Sequence, residues 1–367
     1  MPVKHIQEYR DREIARRLIA QIHAASRKPI RLMEVCGTHT MSIFRSGLRS
    51  LLPETITLVS GPGCPVCVTA QREIDQFVAL ARREDVILTT FGDLLRVPGS
   101  GSSLQQERAA GCDVRVVYSP LDALAIGRAA TRERAWSFSG VGFETTAPTV
   151  AAALLSARAQ GVSNFLVFAA HKRTPPAVAA LMAAPDLRVD GFLLPGHVCL
   201  VTGTRAFQPL VDRYRIPCVV GGFEPLDLLG ALARLVAQIE AGAAVLENAY
   251  ERAVTAGGNA KAQAVMEAVF ATVDAEWRGL GVIPESGLKI AEAHRALDAE
   301  ACFDLSVPDV PEPRGCACGQ VLKGLKIPTD CALYQKTCTP MHPVGPCMVS
   351  SEGTCAAYYR YHGGEGA

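Results

Sequence analysis

Short apolar runs alternate with amphipathic stretches from residue 30 to about residue 240 of the chain. Alternation of this kind is typical of βαβ units, in which helices connect parallel strands. The apolar runs predict strands at Ile30–Val35, Thr55–Ser60, Val86–Phe91, Val114–Ser119, Trp136–Val141, Phe165–Ala170, Gly191–Leu194 and Pro217–Val220. The stretches between them predict helices at Thr69–Arg83, Leu121–Arg134, Thr146–Gln160 and Leu226–Ala241. The pattern therefore predicts an α/β fold with mostly parallel open sheets.

The chain has 367 residues, which is enough for two or three domains. After residue 245 the alternation stops, and two helical stretches, Ala260–Ala275 and Leu288–Ala299, precede a tail rich in Gly, Pro and Cys. We expect two successive α/β domains around a central cleft and a third, mainly irregular and helical domain that includes the Cys-rich tail. The expected segments are an N-terminal helix at 1–29, α/β domains at 30–135 and 136–245, and the third domain at 246–367.

The overall charge is nearly balanced, with 37 Lys and Arg residues against 36 Asp and Glu residues. Such a balance argues against a nucleic-acid partner, which would select a strongly basic surface. No apolar run has the length of a membrane span. The charged N-terminal segment lacks the apolar centre of a signal peptide, so a cytoplasmic location is expected.

Cysteine is abundant and unevenly placed, with 13 in the chain and six of them in the C-terminal tail. In a reducing compartment such cysteines are more often metal ligands or redox groups than structural disulfides. The tail cysteines stand alone in Gly/Pro-rich loops, whereas zinc knuckles use close pairs of ligands. The spacing therefore favours a [4Fe–4S] cluster over zinc, without selecting four ligands from Cys316, Cys318, Cys331, Cys338, Cys347 and Cys355.

Polar and reactive residues follow the predicted strands directly. The carboxyl ends of parallel strands meet at one edge of a sheet, where ligands bind. We therefore expect a cleft that collects Cys36-Gly37-Thr38-His39, the Cys64-Pro65-Val66-Cys67 turn, Gly92-Asp93, Gly142-Phe143-Glu144, His171-Lys172 and Pro195-Gly196-His197.

Cys64 and Cys67 form a C-x-x-C pair on a Gly/Pro turn before a helix. A helix N-terminus lowers the pKa of a cysteine, so this pair suits a reversible disulfide or two ligands to one metal. Half of a structural zinc site is the alternative. Cys36 can be interpreted either as a thiolate ligand or as a small buried residue at a strand end. Glu144 and His197 can be interpreted as acid–base groups. Glu144 can equally be interpreted as a helix cap.

These motifs together resemble the HypD family of [NiFe]-hydrogenase maturation factors over essentially the full length. The segments that carry the resemblance are Glu34–His39, Gly61–Cys67, Gly142–Thr149, Leu194–Val198, Pro284–Gly287 and the tail from Cys316 to Tyr359.

The resemblance implies a role in building the Fe(CN)2CO group of [NiFe] hydrogenases, together with a small HypC-like chaperone and a HypE-like cyanide donor. It implies that Cys36 holds the iron transiently and that Cys64 and Cys67 form a redox-active dithiol. His39 and Glu144 are expected to orient ligands or move protons. The resemblance selects Cys318, Cys331, Cys338 and Cys347 as ligands of a [4Fe–4S] cluster. It also implies that the third domain carries this cluster and that the N-terminal helix at 1–29 packs with it. Such a protein is a redox-active assembly scaffold rather than a conventional turnover enzyme.

Two other classes of function remain. A stand-alone thiol oxidoreductase would use the cluster to reduce a substrate disulfide through Cys64 and Cys67. A zinc-stapled α/β binding protein would have neither an iron–sulfur chromophore nor redox activity.

Overall fold

The computed structural model describes residues 7–129 and 134–362. Its strands are β1 (Ile30–Glu34), β2 (Ile56–Ser60), β3 (Val86–Thr90), β4 (Val114–Val116), β5 (Ala135–Gly140), β6 (Phe165–Ala169), β7 (His171–Lys172), β8 (Gly191–Pro195), β9 (Cys218–Gly221), β10 (Leu246–Asn248), β11 (Phe270–Trp277) and β12 (Gly281–Ile290).

The α-helices are α1 (Arg12–Ala25), α2 (Gly37–Arg45), α3 (Leu48–Leu51), α4 (Pro65–Val68), α5 (Gln71–Ala81), α6 (Leu104–Ala109), α7 (Pro120–Ala129), α8 (Ala147–Ala159), α9 (Thr174–Met182), α10 (Gly196–Thr202), α11 (Gln208–Tyr214), α12 (Pro225–Glu240), α13 (Ala260–Val269), α14 (Ala299–Cys302), α15 (Cys318–Leu322) and α16 (Thr354–Tyr361). Short 3-10 turns lie at Gln7–Arg10, Gly92–Arg96, Thr204–Ala206, Glu292–Leu297, Pro328–Asp330 and Pro346–Met348.

Two parallel sheets form the body of the protein, so the predicted α/β fold class is confirmed. The first sheet has five strands in the order β10-β9-β8-β1-β2, and the second has four in the order β4-β3-β5-β6. Every apolar run named above forms one of these strands. Most of their buried side chains are β-branched or otherwise apolar, as is usual for strands covered on both faces, and Ser137 and Ser139 of β5 are polar exceptions.

The two sheets do not follow one another along the chain, and the expected boundary at residue 135 is wrong. Residue 135 begins β5, a central strand of the second sheet, where Ala135 pairs with Val86 of β3. The first sheet is instead completed across a long insertion, since Glu34 of β1 pairs with Leu193 of β8. Alternation of strands and helices locates the strands, but it does not say which strands become neighbours.

This strand order creates one topological switch point in each sheet, where successive crossovers leave in opposite directions. In the first sheet the switch point lies between β1 and β8, and in the second it lies between β3 and β5. The motifs after these four strands are therefore placed at the mouths of the two crevices.

The N-terminal helix packs on the first sheet, which corrects its expected place beside the cluster domain. Helix α1 lies against α12, and Ile22 is fully buried among the apolar residues of that layer. Arg10, just before α1, pairs with Glu224 at the start of α12. Ile14 of the same helix is 44% exposed.

The segment after residue 245 contains a hairpin that was predicted as helix. Helix α13 ends at Val269, and the chain continues as β11, which pairs antiparallel with β12 and through it with β7. The turn between the two strands uses Gly279 and Gly281, both at positive φ. Long-range pairing has overridden the local helical pattern at Phe270–Ala275 and at Leu288–Ile290.

The tail beyond the hairpin has little regular structure and shares its core with the first sheet. Cys318 and Cys347 of the tail belong to the same buried cluster as Val35, Val59 and Cys67. The tail is therefore docked on the carboxyl edge of the first sheet. Among the described residues, no helix combines the length and apolar character needed to cross a membrane.

Packing of α1 on α12 is testable with two substitutions on one helix. Ile22→Ala removes a side chain with 0% exposure and should lower the free energy of unfolding by about 2–5 kcal/mol. Ile14→Ala, on the exposed face, should change it by less than about 0.5 kcal/mol. Equal effects in urea denaturation would contradict this packing.

Candidate functional site

Cys36 stands at the switch point of the first sheet, directly after β1. It is the N-cap residue of α2, with an extended backbone, and its side chain is 8% exposed. Gly63, in the loop after β2, packs against it so closely that a Cβ there would lie 2.2 Å from the Cys36 nitrogen. The Gly37 N–H also donates to the Gly63 carbonyl at 3.0 Å. The Cys36 backbone is therefore held by the loop that carries Cys64.

The buried carboxyl group of Glu34 binds the backbone of Cys36. Glu34 Oε2 accepts the Cys36 N–H at 3.0 Å, and its other oxygen accepts the Thr40 hydroxyl. Burial raises the pKa of Glu34 to about 7, against which its hydrogen bonds to Ser60, Thr40 and Cys36 act. Glu34 was part of a recognised motif but had no role in the sequence analysis. No local sequence pattern predicts that a carboxylate at the end of a strand will bind the backbone N–H two residues later.

His39 lies one turn into α2 and is completely buried. Its Nε2 lies 3.1 Å from the Gly222 carbonyl oxygen and 3.2 Å from that of Gly221, so Nε2 carries the proton. Nδ1 is then the lone-pair nitrogen, and it has no hydrogen-bond partner among the described residues. Burial lowers the pKa of His39 to about 4, which keeps the ring neutral near pH 7. A neutral imidazole with a free Nδ1 can accept a hydrogen bond or bind a metal.

An aromatic stack connects His39 to the surface. The Phe223 ring lies 4.7 Å from the His39 ring and 3.7 Å from the His197 ring, centroid to centroid. His197 is exposed. Phe223, which sequence reasoning passed over, therefore separates the buried histidine from the one at the rim.

The tail also reaches Cys36. Glu352 Oε1 accepts the Thr38 hydroxyl at 2.6 Å, and a Cβ on Gly37 would lie 2.6 Å from the Glu352 Cβ. Burial raises the pKa of Glu352. The preceding Ser350 donates to Asp93 at 2.9 Å, and Asp93 follows β3 at the second switch point. Elements from both sheets and from the tail thus meet around Cys36.

The Cys36 thiol is protonated when no cation is bound. Burial raises the pKa of Cys36 to about 12, and the neighbouring Glu352 and Glu34 carboxylates raise it further. A bound metal ion reverses this preference, because coordination displaces the thiol proton. The site is therefore poised for a cation rather than for attack as a free thiolate.

Cys64 and Cys67 lie on the other side of the same loop and are both buried. Cys64 is the N-cap of α4, and its Sγ accepts the Cys67 N–H at 3.2 Å. The sequence predicted a lowered pKa, but burial raises the pKa of Cys67 well above its ordinary value. Helix α4 has only four residues, so its dipole does not offset the loss of solvent. The Cys67 thiol also lies beside the Cys347 thiol of the tail.

All six tail cysteines line one enclosed cavity, together with Val321, Leu333, Tyr334 and Met348. Cys318 Sγ is 2.8 Å from Cys347 Sγ. Cys338 Sγ accepts the Val344 N–H at 3.4 Å, the kind of hydrogen bond that tunes a metal-bound sulfur. Within 7–129 and 134–362, no three His, Cys, Asp or Glu side chains form a compact single-ion site. Thiols spread around an apolar wall fit the donor set of an iron–sulfur cluster.

Glu144 has a structural task in the second sheet. It is buried, and it accepts the backbone N–H of Thr174 at 2.8 Å and the Thr174 hydroxyl at 2.9 Å. Both bonds hold the first residue of α9. Burial raises the pKa of Glu144 despite these bonds. The helix-cap interpretation therefore accounts for its contacts, although the capped helix is α9 and not the adjacent α8.

Four cysteines lie outside the motifs described above. Cys199 and Cys218 are buried in the core of the first sheet. Cys112 is half-buried near Glu107, and Cys302 is exposed on α14. The last two sit outside the cleft.

The close approach of Gly63 to Cys36 makes a direct test of this geometry possible. Gly63→Ala forces a Cβ against the Cys36 backbone and should lower the free energy of unfolding by about 1–3 kcal/mol or more. Gly101→Ala is the control, since nothing lies within 4 Å of a Cβ there. Equal midpoints for the two variants in thermal denaturation would show that the loops do not touch as described.

The chain is similar to known proteins along almost its whole length. The HypD family model, described as "Hydrogenase formation hypA family", matches residues 13–362. The hydrogenase maturation factor HypD of Azotobacter vinelandii is 46% identical over 368 residues, which cover 98% of this chain and 97% of that protein. Its counterpart in Escherichia coli is 44% identical over 367 residues, which cover 98% of each chain. A putative hydrogenase expression/formation protein of Methanocaldococcus jannaschii is 42% identical over 96% of this chain and 98% of that one. The chain belongs to the HypD family.

Proposed function

We propose that this hydrogenase maturation factor holds an iron ion at Cys36 while cyanide and carbon monoxide ligands are attached to it. The iron is cargo for a [NiFe] hydrogenase rather than a resident cofactor. The observation that carries the proposal is the buried Cys36 thiol, whose neighbours include the carboxyl groups of Glu34 and of Glu352 from the tail. A HypC-like chaperone would share the iron, and a HypE-like protein would donate the cyanide.

Each group around Cys36 has a task that its contacts support. Cys36 loses its thiol proton when it binds Fe(II) and supplies one soft sulfur ligand. Glu34 accepts the Cys36 N–H at 3.0 Å and holds the backbone that carries the thiol. His39 offers the lone pair of its free Nδ1 to an incoming ligand, and its low pKa keeps the ring neutral. Glu352 closes the site from the tail side.

The tail cavity would hold a [4Fe–4S] cluster through Cys318, Cys331, Cys338 and Cys347. When bound, such a cluster supplies single electrons at a controlled potential. Cys67 lies beside Cys347, so a Cys64–Cys67 disulfide is placed to be reduced from the tail side. Two electrons and two protons convert that disulfide into two thiols. This change would occur in the loop that packs against the Cys36 backbone.

Cys36→Ala tests where the iron is held. The variant, purified with its HypC-like partner, should lack the cyanide and carbonyl infrared bands that we expect from the wild-type complex. Its tail chromophore should be intact, because the tail cysteines are unchanged. Cys302→Ala, an exposed cysteine on α14, serves as the control and should keep the bands. Hydrogenase activity retained in cells that carry Cys36→Ala would sink the assignment.

The same spectrum separates the proposal from its alternative. A wild-type complex without cyanide or carbonyl bands, but with disulfide reductase turnover, would indicate a thiol oxidoreductase. The contact between Cys67 and Cys347 suits both functions, so the spectrum and not the contact decides.

The choice of four cluster ligands can be tested by single Cys→Ser changes. Substitution of Cys318, Cys331, Cys338 or Cys347 should abolish the brown chromophore after anaerobic purification and lower the iron content from about four per chain. Cys316→Ser and Cys355→Ser line the same cavity and act as matched controls that should keep it. A colourless Cys316→Ser or Cys355→Ser protein would require a different ligand set.

A further inference from the structure

A groove on the surface lies directly beside the tail cavity. It is lined by Asp93, Arg96, Pro340, Met348, Tyr359 and Arg360, among others. Met348 is 2% exposed and lines both the groove and the cavity of the tail thiols. A single buried side chain therefore separates the six cysteines from this groove, which we name the Arg96–Arg360 groove.

Arg96 is fixed in this groove by the loops that carry two of the cysteines. Its Nη2 donates to the Val349 carbonyl at 3.2 Å, and its Nη1 donates to the Pro340 carbonyl at 3.4 Å. Val349 lies two residues after Cys347, and Pro340 lies two residues after Cys338. Arg96 nevertheless remains exposed. The surface charge is thus joined to the tail thiols by a few covalent and hydrogen bonds.

Two arginines, Arg96 and Arg360, and one carboxylate, that of Asp93, are the charged groups among the residues that line the groove. Both arginines are exposed, whereas Asp93 is half-buried and accepts hydrogen bonds from the Ser350 hydroxyl and the Ser351 N–H. The charge that the groove presents to solvent is therefore mainly positive. Exposed apolar surface adjoins these charges. Tyr359 is 38% exposed. Met341 is 82% exposed and lies in a neighbouring depression that Arg96 and Pro340 also line. A small apolar patch with a charged rim suits short-lived protein complexes that are steered by charge.

We propose that the Arg96–Arg360 groove is the docking surface for an acidic one-electron carrier protein of the ferredoxin type. The inference rests on the proposed function, because it requires a redox group in the tail cavity. In each encounter the reduced carrier loses one electron, and the group held by the tail thiols gains it. Two encounters and two protons account for reduction of one Cys64–Cys67 disulfide. The acidic surface of the carrier would pair with the two arginines.

Location and charge together select this partner. The Cys64–Cys67 pair and Cys36 are buried deep in the cleft, so a protein carrier cannot touch them directly. The groove brings a docked protein to the thin wall at Met348 instead. A carrier with a basic surface would be repelled by the same arginines.

The experiment measures association of the full-length, cluster-loaded protein with an oxidised plant-type [2Fe–2S] ferredoxin as the probe. We expect wild-type binding at about 20 mM salt and a loss of most of it at about 300 mM salt, where screening is short-ranged. Arg360→Glu should lower the association rate constant by roughly tenfold at low salt. Arg96→Gln should also weaken binding, and its visible spectrum reports whether the tail remains loaded.

Arg188→Glu is the matched control, because it changes the same charge on an exposed arginine in the loop before β8, outside the groove. It should bind the ferredoxin as the wild type does, and the basic carrier cytochrome c should not bind the wild-type protein. The proposal is overturned if wild-type protein does not bind ferredoxin at low salt. It is equally overturned if Arg188→Glu weakens binding as much as Arg360→Glu.

Binding is measured separately from the infrared bands and from the chromophore. A loaded protein that shows iron-bound cyanide and carbonyl but no ferredoxin binding would refute the docking surface alone. A protein without chromophore would refute the tail cluster, and with it the premise of the docking surface.

Discussion

The parallel pairing of β1 with β8 is the contact on which the rest of the molecule depends. Glu34 pairs with Leu193, so the chain returns to its first sheet only after it has built the whole second sheet. This pairing makes β1 and β8 neighbours whose crossovers leave in opposite directions. The crevice at Cys36 exists because of that divergence. It also forces the second sheet and the tail to approach the same edge, where Asp93 and Ser350 meet.

Burial, more than charge pairing, sets the chemistry of the site. The pKa of Cys36 and of Cys67 is raised and that of His39 is lowered, and in each case loss of solvent is the main cause. Near pH 7 the two thiols and the imidazole are therefore uncharged. A metal ion bound by Cys36, as proposed above, would displace the thiol proton.

Much of this could be predicted from sequence. The strands after which Cys36, Cys64 and Glu144 stand were predicted within a residue or two, because short apolar runs bounded by Gly and Pro are a local signal. Strand neighbours were not predictable, since β1 and β8 are far apart in the chain and nothing local links them. The β11–β12 hairpin was missed because its two ends, Phe270–Ala275 and Leu288–Ile290, carry a helix-compatible composition, whereas the two strands pair with each other. Glu352 escaped notice because its contact joins distant segments. Glu34 escaped notice because its bonds to the Cys36 N–H and the Thr40 hydroxyl form only when the turn after β1 has folded. The raised pKa of Cys67 was missed because burial is a property of the folded chain.

The contact between Glu352 and Thr38 joins two segments that are 314 residues apart in the chain. During synthesis, Cys36, His39 and the Cys64 loop leave the ribosome long before Glu352 does. The crevice therefore lacks the wall that Glu352 supplies until the tail has folded onto the edge of the first sheet. Loss of the tail would leave Cys36 in place and would open its surroundings to solvent.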